Sequence, residues 1–157
     1  MFLYTLELEC GNWYVGTTKA PAARLRQHKN GWGSEWTRLH KAERFSKAHP
    51  LKKLLCSDSD ARLHEDMQVK KLMMQYGVHK VRGGSYSRVE LSCADTSALE
   101  REFRHAKNAC ARCGRAGHWA STCFAKTQLS GASIVEEDSE EEEESEEEED
   151  SEEEERC

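Results

Sequence analysis

Along the first 31 residues the spacing of apolar positions changes once, from alternation to a helical period. Residues 2–9, FLYTLELE, alternate as a strand does. Cys10-Gly11-Asn12 is a turn signal, and WYVGT follows as a second strand, so the two make a hairpin. Pro21 then opens PAARLRQHKN, and Gly31 stands just past its end. Proline in the first turn and glycine after the last are helix punctuation, which gives the order β-β-α. Residues 31–41, GWGSEWTRLHK, have no clean period, and AERFSKA after them reads as a third strand. Over 60–76, DARLHEDMQVKKLMMQY, the positions Leu63, Met67, Lys70/Lys71 and Met74 recur at helical spacing and Gly77 supplies the stop. VHKVRGGSYSRVEL reads as extended chain with a turn at Gly83-Gly84. Its single RGG is a turn in this reading, not an RNA-binding repeat. SALEREFRHAKN, 97–108, reads as a short charged helix.

Composition sharpens this picture. With 33% charged and 8% aromatic residues, the 157-residue chain is too polar for one core along its whole length. The net charge of -6 hides a division. Residues 136–155 hold 17 of the 29 Asp and Glu, whereas residues 1–135 hold the other 12 acids and 22 of the 23 Lys and Arg. A body with ten excess positive charges suits a polyanion, although a Lys- and Arg-rich soluble surface gives the same count. The acidic run interleaves Glu with Ser139, Ser145 and Ser151 and has nothing apolar to bury. It reads as a disordered tail and as a substrate for an acid-directed serine kinase. Seven cysteines without a secretory leader, and no run long enough for a membrane span, point to a reduced intracellular protein, nuclear or cytoplasmic.

The densest chemistry lies in CARCGRAGHWASTC, residues 110–123, which reads Cys-x2-Cys-x4-His-x4-Cys. Cys110 and Cys113 share a tight turn, and His118 with Cys123 completes four ligands, the tetrahedral set of a structural zinc site. Gly114 and Gly117 let the backbone wrap the ion. The segment is too short for a core, so metal binding must drive its folding. It resembles the CCHC knuckles of retroviral nucleocapsid proteins and cellular RNA-binding proteins. That resemblance implies binding of single-stranded RNA or DNA, with Trp119 as the face on which a base stacks and Arg112 and Arg115 on phosphates. Ala111 stands where the family often has an aromatic residue.

The first 92 residues carry a second resemblance. Phe2-Leu3-Tyr4 and Tyr14-Val15-Gly16 put two tyrosines ten positions apart; Arg24 follows Tyr14 by ten, and His28 lies one turn further on. Glu65 precedes Lys70 and Lys71 on the later helix. This pattern resembles the GIY-YIG nuclease domain, with FLY in place of GIY and without the usual later Asn. The resemblance implies phosphodiester hydrolysis with Mg²⁺ or Mn²⁺ held by Glu65. In that scheme Arg24 stabilises the phosphate, Tyr4 is the general base with its phenol pKa lowered by nearby positive charge, and Tyr14 and His28 assist the proton path. Read without the resemblance, the same residues have plainer roles. Tyr4 and Tyr14 would pack across the hairpin, Arg24 and His28 would form a solvated helix face, and Glu65 would pair with Lys70. Trp32 and Trp36 line a nucleic-acid groove or belong to a core, and His64 is a surface residue.

The expected architecture is therefore α/β, a small antiparallel sheet flanked by helices (1–92). A helical linker (93–109), the knuckle (110–123), and a disordered linker with the acidic tail (124–157) follow. The expected function is zinc-dependent nucleic-acid binding joined to divalent-metal endonuclease activity. The alternatives are a binder with an inactive nuclease-like fold, or a zinc-dependent protein-interaction adaptor.

Overall fold

The computed structural model describes residues 1–134; the acidic run with Ser139, Ser145 and Ser151 lies outside the described residues. Strand β1 (Phe2–Leu8) and strand β2 (Trp13–Thr18) form the expected hairpin, with Tyr4 directly opposite Gly16 and Leu6 opposite Tyr14. Helix α1 (Pro21–Lys29) begins on its proline. Helix α2 (Glu35–Leu39) forms where no period was legible, because the Ser34 side chain accepts from Thr37 N and caps its first turn. Strand β3 (Ala42–Phe45) and the two-residue β4 (Lys52–Lys53) both pair antiparallel with β1. Helix α3 (Asp58–Tyr76) is capped by Ser57, β5 (Val81–Gly83) follows it, and helix α4 (Cys93–Ala106) is capped by Ser92.

The result is a mixed α/β domain on a five-stranded sheet. The sheet is not wholly antiparallel, since β5 returns from α3 to lie parallel to β2. A long helical crossover allows a strand to return parallel, whereas the short turn of residues 9–12 between β1 and β2 forces the antiparallel sense. β1 is central and covered on both sides. Tyr4, Leu6 and Leu8 join a core with Tyr14, Trp36 and Ala42, against which Leu25 of α1 packs. Leu3 and Val15 face the other way, into a core with Val69, Leu72 and Met73 of α3 and Leu99 and Phe103 of α4.

The buried side of α3 is Ala61, Val69, Leu72 and Met73, while Leu63, Met67 and Met74 face solvent. Two expectations need correction. The helix starting at Cys93 is more than a linker, because Leu99 and Phe103 close the core beneath β2 and α3 and Lys70 pairs with Glu102 at 2.7 Å. Residues 124–134 fold back on the knuckle as a small hairpin. Leu129 N donates to Cys113 O, Ile134 N donates to Lys126 O, and Ala125 and Ile134 cover the buried cysteines. Among the described residues no helix is long and apolar enough to cross a membrane.

Candidate metal centre and candidate active site

The Cys/His segment closes on itself through its backbone. Cys110 N donates to Arg115 O and Gly114 N to Cys110 O, a tight loop that turns both sulfurs the same way. Gly114 and Gly117 sit at φ +79 and +93, the left-handed region the sequence reserves for them. The ligand atoms of Cys110, Cys113, His118 and Cys123 all lie within 4.8 Å of one another, and Cys113 Sγ is 3.3 Å from His118 Nε2. With Zn–S near about 2.3 Å and Zn–N about 2.0–2.1 Å, tetrahedral neighbours stand roughly 3.5–3.8 Å apart, so this donor set fits the ion. Burial opposes the thiolate at Cys113. The backbone amide of Arg115 and the neighbouring thiols outweigh it and hold that group down at about 7, the direction metal binding needs.

Around this centre the expected nucleic-acid residues divide. Trp119 stands 65% exposed on the surface. Arg115, also exposed, donates to Thr127 O at 2.8 Å, and Arg112 donates to Cys123 O, so both guanidiniums clamp the module as well. Phe124, 94% exposed, is a second surface aromatic that the motif did not flag. Arg104 of α4 was also missed. It donates to Ala111 O at 3.0 Å and Gln128 Oε1 at 2.8 Å, tying the knuckle and its hairpin to the helix that closes the core.

In the sheet domain the hairpin and α1 bring together residues from three elements. Tyr4 Oη lies 2.9 Å from His28 Nε2, and Arg24 Nε donates to Tyr4 Oη at 3.3 Å. The Tyr14 ring is 4.9 Å from His28 and 6.3 Å from Tyr4. His28 is 1% exposed, so the solvated helix face does not describe it. Its Nδ1 is 2.8 Å from Thr37 Oγ1, which itself donates to Ser34 O. The Thr37 proton is thus engaged, and the ring carries its own proton on Nδ1. This assigns Nε2 as an acceptor and Tyr4 as the donor to it. Burial, with the charge of Arg24 next, lowers His28 to about 4 and keeps the ring neutral. Burial and the neighbouring Tyr14 raise the Tyr4 phenol, and Arg24 offsets only part of this. The expected lowering of that phenol is not what the surrounding protein groups produce. Gly16 makes the close packing possible, because a Cβ there would stand 2.4 Å from Tyr4 Oη.

Glu65 approaches the hairpin from the opposite face. Alternation along β2 sends Thr17 away from Tyr14 and Gly16, and Thr17 Oγ1 donates to Glu65 Oε2 at 2.7 Å. Gly84 N donates to Glu65 Oε1 at 2.9 Å, and Ser85 N and Oγ hold the adjacent Asp66. Glu65 is therefore not the partner of Lys70. Each carboxylate oxygen still has a lone pair that could meet a hard cation. The charge of Glu65 reaches the buried phenols and raises both Tyr4 and Tyr14. Thr17, Gly84, Ser85 and Asp66 had no signal in the sequence.

The remaining candidates resolve plainly. Arg82 of the RGG is 3% exposed. It donates to the carbonyls of Val78, Val81, Arg88 and Val89 and lies 4.7 Å from the Trp36 ring. Trp36 is core, with Nε1 donating to Trp13 O, whereas Trp32 is 79% exposed. His64 is a surface residue.

Three buried cysteines and a half-buried histidine on a glycine-bent loop define a CCHC zinc knuckle. Residues 106–134 match the family model described as the GAG-polyprotein viral zinc-finger, a span that takes in both the ligands and the hairpin behind them. No curated protein and no solved structure matches the chain.

Proposed function

We propose that this chain binds single-stranded nucleic acid through a zinc-folded knuckle and presents the strand to a phosphodiesterase site on the sheet domain. The observation that carries the binding half is the convergence of Cys110, Cys113, His118 and Cys123 within 4.8 Å beside an exposed indole. Zinc would set the fold of the module, Trp119 would stack a base, and the spare N–H donors of Arg115 would meet phosphate.

The hydrolytic half rests on the cluster of Tyr4, Tyr14, Arg24 and His28 with Glu65 behind β2, which resembles a GIY-YIG site in residue types and offsets. A divalent cation on Glu65 would supply charge neutralisation at the phosphate and a more acidic bound water. Arg24 Nε donates to Tyr4 Oη, and neutral His28 Nε2 accepts the Tyr4 hydroxyl hydrogen bond, which would hold the phenol oxygen in place. Burial works against the phenolate, and Glu65 stands across the hairpin from Tyr4, Arg24 and His28; both observations favour the second reading, a binder whose nuclease-like site is silent.

Two measurements test these halves. Purified protein should carry one zinc per chain and retard single-stranded oligonucleotides, and loss of retardation on chelation should be reversed by zinc. A protein with full zinc and no affinity for any strand would point instead to a protein-interaction adaptor. Plasmid and single-strand cleavage in Mg²⁺ or Mn²⁺ should be abolished in Glu65→Ala, and cleavage in neither protein would leave the silent binder.

A further inference from the structure

Strand β1 loses its outer partner midway along its length. β3 pairs with Leu6, Glu7 and Leu8, and β4 with Phe2 and Leu3. Between them Ser46 N donates to Thr5 O at 2.8 Å, after which residues 47–51 leave the sheet, and Pro50 has no N–H to return to it. The gap this loop leaves against α3 is an open cavity of about 350 Å³. It is lined by Thr5 and Lys52 from the sheet, by Gln68 and Lys71 of α3, three apart on one helix face, and by the apolar Leu3 and Leu51. None of its lining residues is acidic. Thr5 is 3% exposed, yet its hydroxyl makes no hydrogen bond among the described residues. No unpartnered side-chain polar atom among them is sealed from solvent, so Thr5 Oγ1 opens on the cavity. Valine has the same shape, so packing alone gives no reason for a hydroxyl here. The Gln68 carboxamide and both ammoniums also stand without partners among the described residues, whereas Lys70 is taken by Glu102.

We propose that this cavity binds a phosphate monoester, with Lys52 and Lys71 against its charge and Thr5 Oγ1 and the Gln68 amide donating to its oxygens. A monoester carries a charge of about −1.5 to −2 near neutral pH and three strong acceptor oxygens, which matches two ammoniums and two neutral donors. A carboxylate would leave one ammonium uncompensated. The volume lies at the small end of ligand cavities, about 300–1,000 Å³, and with the apolar wall of Leu3 and Leu51 it suits an organic body behind the phosphate. That ester is either a free molecule of nucleotide size or the terminal phosphate of a strand. Thr5 alternates with Tyr4 along β1, so the cavity opens on the face opposite Tyr4 and His28, and it uses none of the zinc ligands. It stands independently of both halves of the proposed function.

The experiment uses the full zinc-loaded chain. Calorimetric titration with inorganic phosphate, adenosine 5′-monophosphate and adenosine reads the free-molecule source. Fluorescence anisotropy with one oligonucleotide bearing either a 5′-phosphate or a 5′-hydroxyl reads the strand source, and the difference between the two ends removes any contribution from the knuckle. Wild type should bind the phosphorylated member of at least one pair tighter than its unphosphorylated partner by about 10-fold or more, the worth of one hydrogen bond to a charged group. Thr5→Val should lose about 10-fold of that preference while unfolding in urea no earlier than wild type, because valine packs without an unpartnered hydroxyl. Lys71→Gln should lose at least as much, and Lys53→Gln, outside the lining, should behave as wild type. A preference confined to the nucleotide pair assigns a small-molecule ligand, and one confined to the oligonucleotide pair assigns a strand end. Wild-type protein that binds no phosphate probe, that binds each phosphorylated probe no better than its partner, or whose preference survives both Thr5→Val and Lys71→Gln overturns the site.

Discussion

The buried histidine should make the sheet domain acid-sensitive in a window that opens above the carboxylate range. His28 is 1% exposed, bonded through both ring nitrogens, and held at about 4 in the folded protein by burial and Arg24, against 6.5 for the free ring. Below 6.5 the unfolded chain takes up a proton that the folded chain refuses. The folded state therefore keeps its full advantage above 6.5 and loses it as pH falls toward 4. At about 1.4 kcal/mol per pH unit the loss comes to about 3 kcal/mol, a large part of the stability of a domain this size. The assay is urea unfolding followed by tryptophan fluorescence at steps from pH 7 to 4, on wild type and His28→Gln. Glutamine keeps an acceptor near Tyr4 and does not titrate. The variant should be the less stable protein at pH 7, and the gap should narrow by about 3 kcal/mol by pH 4. Zinc thiolates and carboxylates titrate in both proteins and cancel in the difference. Parallel stability profiles for the two would refute the neutral, buried ring that accepts the Tyr4 hydrogen bond.

Two further outcomes follow from packing. Gly16→Ala puts a Cβ against Tyr4 Oη, which is pinned by His28 and cannot swing aside, so the hairpin should lose about 1–3 kcal/mol by thermal or urea unfolding and any cleavage activity with it. A variant as stable as wild type would mean that the tyrosine is not held where it stands. Arg82→Leu strips the guanidinium from four carbonyls and should cost about 3–5 kcal/mol, while an arginine that served only as an RNA contact would lower affinity and leave stability alone.

The ligand set of the knuckle was legible from sequence because its four members lie within fourteen consecutive residues at spacings that suit a tetrahedral ion, whereas the supports from Arg104 and the fold-back of residues 124–134 were not. The hairpin and the Tyr4, Tyr14, Arg24 and His28 offsets were legible for a related reason, since a two-stranded register and one turn of helix fix them locally. The partners of Glu65 were not. Thr17 is 48 positions away and Gly84 is 19 away, and they meet Glu65 only once α3 lies across β2 and β5 return beside it.

Helix α3 shows how far the pattern could have been pushed. It carries apolar residues on two sides, and the stripe of Leu63, Met67 and Met74 holds the larger side chains. The competing stripe runs Ala61, Glu65, Val69, Leu72 and Tyr76 and is interrupted by a carboxylate, which counts against it in any hydrophobicity tally. The sheet decides between them. Val15 and Val81 offer β-branched surface that Val69 and Leu72 fit, and the small Ala61 lets the helix approach closely, so the interrupted stripe turns inward. Leu63 and Met67 remain 65% and 66% exposed as a consequence. A carboxylate that interrupts an otherwise buried stripe must find donors, and Glu65 finds them in Thr17 and the Gly84 amide. Read that way, the inward placement of Glu65 follows from helix periodicity and the needs of a half-buried charge.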